Sequence, residues 1–163
     1  MLYAAYGSNL HPRRLRERIA AARLVGTSFL REYTLRFHKR GMDRSAKCGL
    51  AGCGQGAHVA VYEIDDGDKR KLDRIEGVGR GYDAGDVLVP GFGICCTYFA
   101  SQSYIDEHLQ PFDWYLEMVL LGCREHGFPA AYSERIAALP AIEDTDPERR
   151  RSNWRIVEML RDE

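Results

Sequence analysis

Apolar residues along this chain come in short blocks separated by Gly, Pro and charged residues. The first block, LYAA at residues 2–5, has the length and composition of a strand, and it runs directly into the small polar stretch YGSNL, Tyr6 to Leu10. From His11 to about Ala22 the spacing turns helical, with Pro12 suited to a first turn, where its missing N–H costs nothing. Further segments near Leu24 to Leu30, Tyr33 to Phe37, His58 to Ile64, Asp86 to Val89 and Ile94 to Phe99 are rich in β-branched and aromatic residues and bounded by turn formers. The pattern predicts about six strands interspersed with helices.

The helices carry their own punctuation. DDGDKRKLDRIEG, residues 65–77, opens on a capping Asp, sets Leu72 and Ile75 three apart and closes on Gly77, where a helix can end. PFDWYLEMVLLGCREH, residues 111–126, is apolar enough for a largely buried helix that stops at Gly127, and Pro129 to Ala138 reads as another. Asp146 and Pro147 form a cap and first-turn pair for a C-terminal helix, residues 146–163, whose Trp154, Val157 and Leu160 share a face and predict docking. No repeat or linker interrupts the chain, and AGCGQG (Ala51 to Gly56) is too short to separate domains, so residues 1–163 are expected to form a single α+β domain.

Composition narrows the class. A domain near 150 residues buries roughly 68–70% of its unfolded surface, enough for one core without staples. The apolar blocks all fall well short of the ~20 residues of a membrane span, and the first lacks the basic flank of a signal peptide, so the expectation is a cytoplasmic protein with no membrane partner. A net charge of −1 argues against nucleic acid as a partner, since such binding needs a net basic face. Cys48, Cys53, Cys95, Cys96 and Cys123 form an odd set with no CxxC, which fits reduced thiols.

Several motifs invite chemistry and fail on context. Gly79, Gly81 and Ala84 within GVGRGYDA match a dinucleotide fingerprint, but here a helix precedes and a strand follows, the reverse of what that fingerprint needs. Cys48 and Cys53 have no nearby His pair, and adjacent Cys95 and Cys96 point to opposite faces of a strand, so no metal is expected. His11, His38, His58, His108 and His126 fall in no catalytic motif. RRLRER (Arg13 to Arg18) reads as a solvated face with Leu15 and Ile19 turned inward, and Arg149 to Arg151 read likewise.

Two features remain. A turn of small residues such as YGSNL exposes backbone N–H groups that can hold an anion, while the plainer reading is that Ser8 or Asn9 only caps the following helix. Glu76 sits at a helix C-terminus, whose partial negative charge raises a carboxylate's pKa and suits it to general-base work; otherwise it is an exposed helix-end residue without a role.

YGSNL followed some 65 residues later by LDRIEG and then GY resembles the gamma-glutamylcyclotransferase family, AIG2-like and BtrG-like proteins included. FHKR, DRSAKCG, VAVYEI, EGVGRGYDAGDV, PFDWYLEMVLLGCREHGFP and Tyr132 extend the likeness to bacterial-type members up to about residue 140. The resemblance implies a small mixed β-barrel of about six strands with helices packed around it. It places the catalytic glutamate on Glu76, the substrate loop on Tyr6, Gly7, Ser8, Asn9 and Leu10, and pocket tyrosines on Tyr82, Tyr98 and Tyr115. Asp73, one turn before Glu76, is the near rival for the base, and Arg80 to Asp83 depart from animal members at the pocket rim.

The implied reaction cyclises a small-molecule gamma-glutamyl substrate to 5-oxoproline with release of a free amine or amino acid. It requires no cofactor. Gamma-glutamylamines or a gamma-glutamyl protecting group are alternative substrates, glutathione is disfavoured because the glutathione-specific branch departs from YGSN, and a non-catalytic binding module is the alternative class. A monomer or homodimer is expected.

Overall fold

The computed structural model describes residues 1–52 and 54–162. Seven strands and five helices follow in the order β1 (Leu2–Ala5), α1 (Pro12–Arg18), β2 (Arg23–Leu30), β3 (Tyr33–Arg40), β4 (Ala46–Gly52), β5 (Ala57–Glu63), α2 (Asp66–Glu76), β6 (Tyr82–Val89), β7 (Gly93–Ala100), α3 (Asp113–Glu125), α4 (Ala130–Ala137) and α5 (Pro147–Arg161). Five strands form one sheet in the order β2-β5-β1-β7-β6, with β1 central, antiparallel to β5 and parallel to β7; β3 and β4 pair as a separate antiparallel ribbon. The α+β class holds, but the barrel is open: β2 and β6 end the five-stranded sheet and do not pair with each other.

Central placement explains why β1 is so small and apolar. Ala4 and Ala5 are fully buried, the Ala4 carbonyl accepts from Thr97 Oγ1 at 2.8 Å, and the strand delivers the YGSNL turn into the middle of the fold. Gly7 O accepts from Leu10 N at 2.9 Å to close that turn. The Leu10 carbonyl then takes Tyr62 Oη at 2.5 Å and lies 2.7 Å from His126 Nε2, so β5 and the end of α3 hold it from two sides. Helix α3 comes this close only because it carries Gly122, where a Cβ would sit 2.5 Å from Leu10 Cβ and 3.1 Å from His11 N.

The structure differs from the sequence reading at four places. Helix α1 stops at Arg18 instead of running to Ala22, because β2 begins at Arg23 to pair with β5. Strand β4, AKCGLAG, went unread because Gly and Ala are weak strand formers; Gly49 is nonetheless required, since a Cβ there would strike His38 Nε2 at 2.5 Å. Strand β6 begins at Tyr82, earlier than Asp86. Leu72 is buried as expected, but Ile75 is 42% exposed. The stretch from Gly79 to Ala84 follows α2 and runs into the first residues of β6, the order helix then strand.

Helix α5 docks through Val157 and Leu160, and its N-terminus is fixed by Asp144 as well as the cap Asp146. Buried Asp144 accepts from Arg149 Nε at 2.7 Å, Arg149 Nη2 at 2.5 Å, Trp114 Nε1 at 3.1 Å and Asp146 N at 3.0 Å. These donors, Arg149 first, hold its pKa down at about 2.

Two stability predictions follow from these contacts. Gly122→Ala should destabilise by about 1–3 kcal/mol through overpacking, read as a fall in thermal midpoint of several degrees; an unchanged midpoint would show that α3 can step back from the turn. Because the folded pKa of Asp144 is depressed, its stabilisation is present above the unfolded value near 4 and is lost as pH falls toward about 2. Asp144→Asn should therefore cost about 2 kcal/mol at neutral pH, and the gap in melting temperature to wild type should close across that acid window.

Candidate active site

The cap of α1 decides between the readings of YGSNL. His11 is the N-cap, its Nδ1 accepting from Arg13 N at 3.2 Å, so neither Ser8 nor Asn9 serves that purpose. Asn9 instead reaches across the fold: Nδ2 donates to Glu76 Oε1 at 2.9 Å and to Tyr3 Oη at 3.0 Å. Glu76 occupies the last turn of α2 ahead of Gly77, whose φ of 73° ends the helix in the left-handed region that favours glycine. The same Oε1 accepts from Arg18 Nη1 at 2.7 Å, and that nitrogen lies 3.0 Å from Asn9 Oδ1. Asn9, Glu76 and Arg18 close a triangle.

Arg18 corrects the reading of RRLRER as a purely solvated face. Its side chain is only 20% exposed, because α1 turns it toward Glu76. Arg14, one helical turn earlier, is also largely withdrawn from water, and burial pushes its pKa down to about 10. Arg149 likewise turns inward to Asp144. The legible signal was spacing: Arg14 and Arg18 are four apart and flank inward-facing Leu15.

A narrow cavity of about 30 Å³ lies against Glu76, walled by Tyr6, Gly7, Ser8 and Asn9 of the turn and by Tyr82, Tyr98 and Tyr115. Eight of the nine residues singled out from sequence thus meet around one space. Leu10 does not: it is fully buried beneath the turn and lines neither this cavity nor the one beside it. Its substitute on the wall is Tyr3, which lies edge-on to Tyr98 with ring centroids 5.8 Å apart.

The tyrosine hydroxyls brace the cavity. Tyr82 Oη donates to Cys48 O at 2.5 Å, Tyr115 Oη accepts from Cys48 N at 3.0 Å, and Tyr6 Oη donates to Tyr98 O at 2.5 Å. Burial pushes all of these phenols, and Tyr3, upward in pKa, so they remain neutral. Tyr98 Oη donates to Asp73 Oδ1 at 2.8 Å, and Lys69 holds the same oxygen, which leaves Asp73 committed to two partners away from Asn9.

A wider cavity of about 370 Å³ adjoins the narrow one and shares Ser8, Glu76, Tyr82 and Tyr115 with it; Lys39, Arg74 and Arg80 line its other walls. A larger cavity, about 750 Å³ along α5, is lined by none of the nine candidate site residues. Among the described residues no three His, Cys, Asp or Glu side chains form a set able to hold a metal ion, and Cys53 lies outside the described residues.

Comparison with known proteins gives similarity in sequence and in fold. A family profile described as AIG2-like family matches residues 57–136, and human gamma-glutamylcyclotransferase is 28% identical over 148 residues, covering 85% of this chain and 78% of the human one. The chain is thus similar to AIG2-like and gamma-glutamylcyclotransferase proteins. A solved structure titled gamma-glutamyl cyclotransferase superposes with a TM-score of 0.83 at 23% identity over 98% of both chains, and an uncharacterized human protein does so at 0.81 and 24% identity over 96% of this chain and 97% of that one. At those identities the superpositions speak for the fold. In this chain the turn, α1 and the end of α2 are the elements that converge on Glu76.

Cys48 tests how rigid the narrow cavity is. Burial pushes its thiol pKa up to about 12, as it does for Cys123. Native protein at pH 8 should alkylate at both positions more than about a hundredfold slower than free cysteine, followed by mass spectrometry, with both reacting once denatured. Rapid native labelling of Cys48 would show that the cavity wall opens.

Proposed function

We propose that this chain is a gamma-glutamyl cyclotransferase that converts a gamma-glutamyl amide into 5-oxoproline and a free amine or amino acid, with Glu76 as general acid and base. The observation that carries the reading is the meeting of Glu76 with Asn9 and Arg18 at the mouth of a tyrosine-walled cavity beside the YGSNL turn. Nucleophile and electrophile belong to the same substrate, so the protein's main task is to fold the glutamyl chain into attack geometry, an effect that can contribute roughly 7–11 kcal/mol.

The substrate's α-amine is an ammonium near neutral pH and must lose a proton before attacking its own γ-carbonyl. Glu76, ion-paired with the guanidinium of Arg18 at 2.7 Å, takes that proton through its carboxylate, which lines both cavities. Attack closes a five-membered ring and places negative charge on the former carbonyl oxygen. Among the described residues the N–H groups of Ser8 and Asn9 donate to no other protein group, which supports a role for the turn in meeting that charge or the substrate's α-carboxylate. Collapse of the intermediate breaks the amide C–N bond, and the proton held by Glu76 passes to the departing nitrogen. The neutral tyrosines shape the space and exclude water.

The deciding experiment is 5-oxoproline release from a panel of gamma-glutamyl dipeptides and gamma-glutamylamines by wild type and Glu76→Gln. Loss of about 10²- to 10⁴-fold in kcat, with the variant folded, is the expected result for removal of a general acid/base. Activity within tenfold of wild type would remove Glu76 from the chemistry, and no product from folded wild type would favour a ligand-binding module.

A further inference from the structure

The wider cavity beside Glu76 has an unbalanced charge. Four of the cations on its wall have acidic partners: Arg18 with Glu76, Lys47 with Asp43 at 2.7 Å, Arg149 with Asp144, and Arg14 with Glu17 at 3.5 Å. Lys39, Arg74 and Arg80 have no carboxylate within ion-pair distance among the described residues. Both carboxylates of the wall, Glu76 and Asp43, are already engaged.

Lys39 is the unusual member of the three. It is 6% exposed, and its ammonium has no hydrogen-bond acceptor among the described residues; it lies 4.6 Å from the centroid of the Tyr82 ring. A lysine on a regular strand whose neighbour faces the core would point to solvent. Here β3 carries a bulge, the register slipping between Phe37↔Cys48 and Lys39↔Lys47, so His38 and Lys39 are buried in succession. Gly81 leaves the room: a Cβ there would stand 2.7 Å from Lys39 Nζ. Burial lowers the Lys39 pKa and the negative charge of Glu76 works against that, yet no carboxylate among the described residues reaches the ammonium directly.

This inference rests on the cyclotransferase reading. A gamma-glutamyl group brings one α-ammonium and one α-carboxylate to Glu76 and the turn and is neutral in sum, so the surplus positive charge of the wider cavity is left for the leaving part of the substrate. An ordinary leaving amino acid offers a single carboxylate against three unpaired cations. We infer that the wider cavity selects gamma-glutamyl substrates whose leaving amine carries two or more negative charges, as an acidic amino acid or a phosphorylated amine does, with Lys39 as the buried anchor and Arg74 and Arg80 on the rim. Cationic leaving groups such as those of gamma-glutamyl polyamines are repelled.

Isosteric pairs isolate the charge. kcat/KM for gamma-glutamylglutamate should exceed that for gamma-glutamylglutamine by at least about tenfold at low salt, mostly through KM, and gamma-glutamyl-O-phosphoethanolamine should likewise exceed gamma-glutamylethanolamine. The pair with the larger ratio tells whether carboxylate or phosphate is the better fit. In Lys39→Met the ratio should fall below about threefold, and in Arg80→Gln, an exposed position that leaves the fold intact, it should fall by a few-fold. A ratio near one in wild type, or a ratio unmoved by both variants, overturns the inference while leaving the cyclotransferase reading in place. Absence of 5-oxoproline from all four compounds with folded wild type overturns the reading itself.

Discussion

One carboxylate oxygen organises this molecule. Oε1 of Glu76 accepts from both Asn9 and Arg18, and Arg18 also binds Asn9, so a turn, the helix after it and the end of a helix more than 60 residues later are tied at a single point. Ion pairs withdrawn from water repay their desolvation only when the remaining donors and acceptors are also satisfied. Here the third side of the triangle, and the second amide hydrogen of Asn9 on Tyr3, provide that satisfaction. Removing any one member would leave another charged or polar group partly buried without its partner, so the arrangement constrains all three elements together.

The triangle closes only because the scaffold brings its corners within reach. Strand β1 is central and built from alanines where it is most enclosed, which lets sheet and helices approach the turn from every side. Gly122 lets α3 lie against Leu10, and His11 takes over the capping of α1, which frees Asn9 to leave the local backbone and cross to α2. Leu10 serves as the buried foot of the turn. Its carbonyl, held by Tyr62 and close to His126, fixes the turn's exit while Ser8 and Asn9 stay at the cavity.

What sequence could and could not disclose follows from whether each signal is local. Asp65 and Gly77 bracket α2 by the chemistry of capping and of positive φ, and Asp146 with Pro147 start α5, so these ends could be read from neighbouring residues alone. The glycine-rich β4 has no such signature: it is a strand because β3 pairs with it and because Tyr82 and Tyr115 grip the backbone of Cys48. Arg18 and Lys39 were hidden for related reasons. Arg18 lies among other arginines whose pattern is that of a solvated helix, and Lys39 owes its direction to a bulge that only pairing with β4 creates. Glu76 and the turn were legible because a motif marked them, whereas their mutual contact is a tertiary fact.

Rigid and adjustable parts of the site come from different sources. The narrow cavity is braced by tyrosine hydroxyls bonded to main-chain atoms of other elements, so each wall is positioned by a group that a substitution elsewhere cannot easily move. The wider cavity is walled instead by side chains at the ends of elements: Lys39 near the end of β3, Arg74 in the last turn of α2, Arg80 in the bend before β6. None of these three makes a hydrogen bond that Glu76, Asn9 or Arg18 depends on among the described residues. Charge in the wider cavity can therefore change without breaking a hydrogen bond of the triangle. A scaffold divided in this way keeps the geometry around one carboxylate constant while the walls of the adjoining cavity are free to differ.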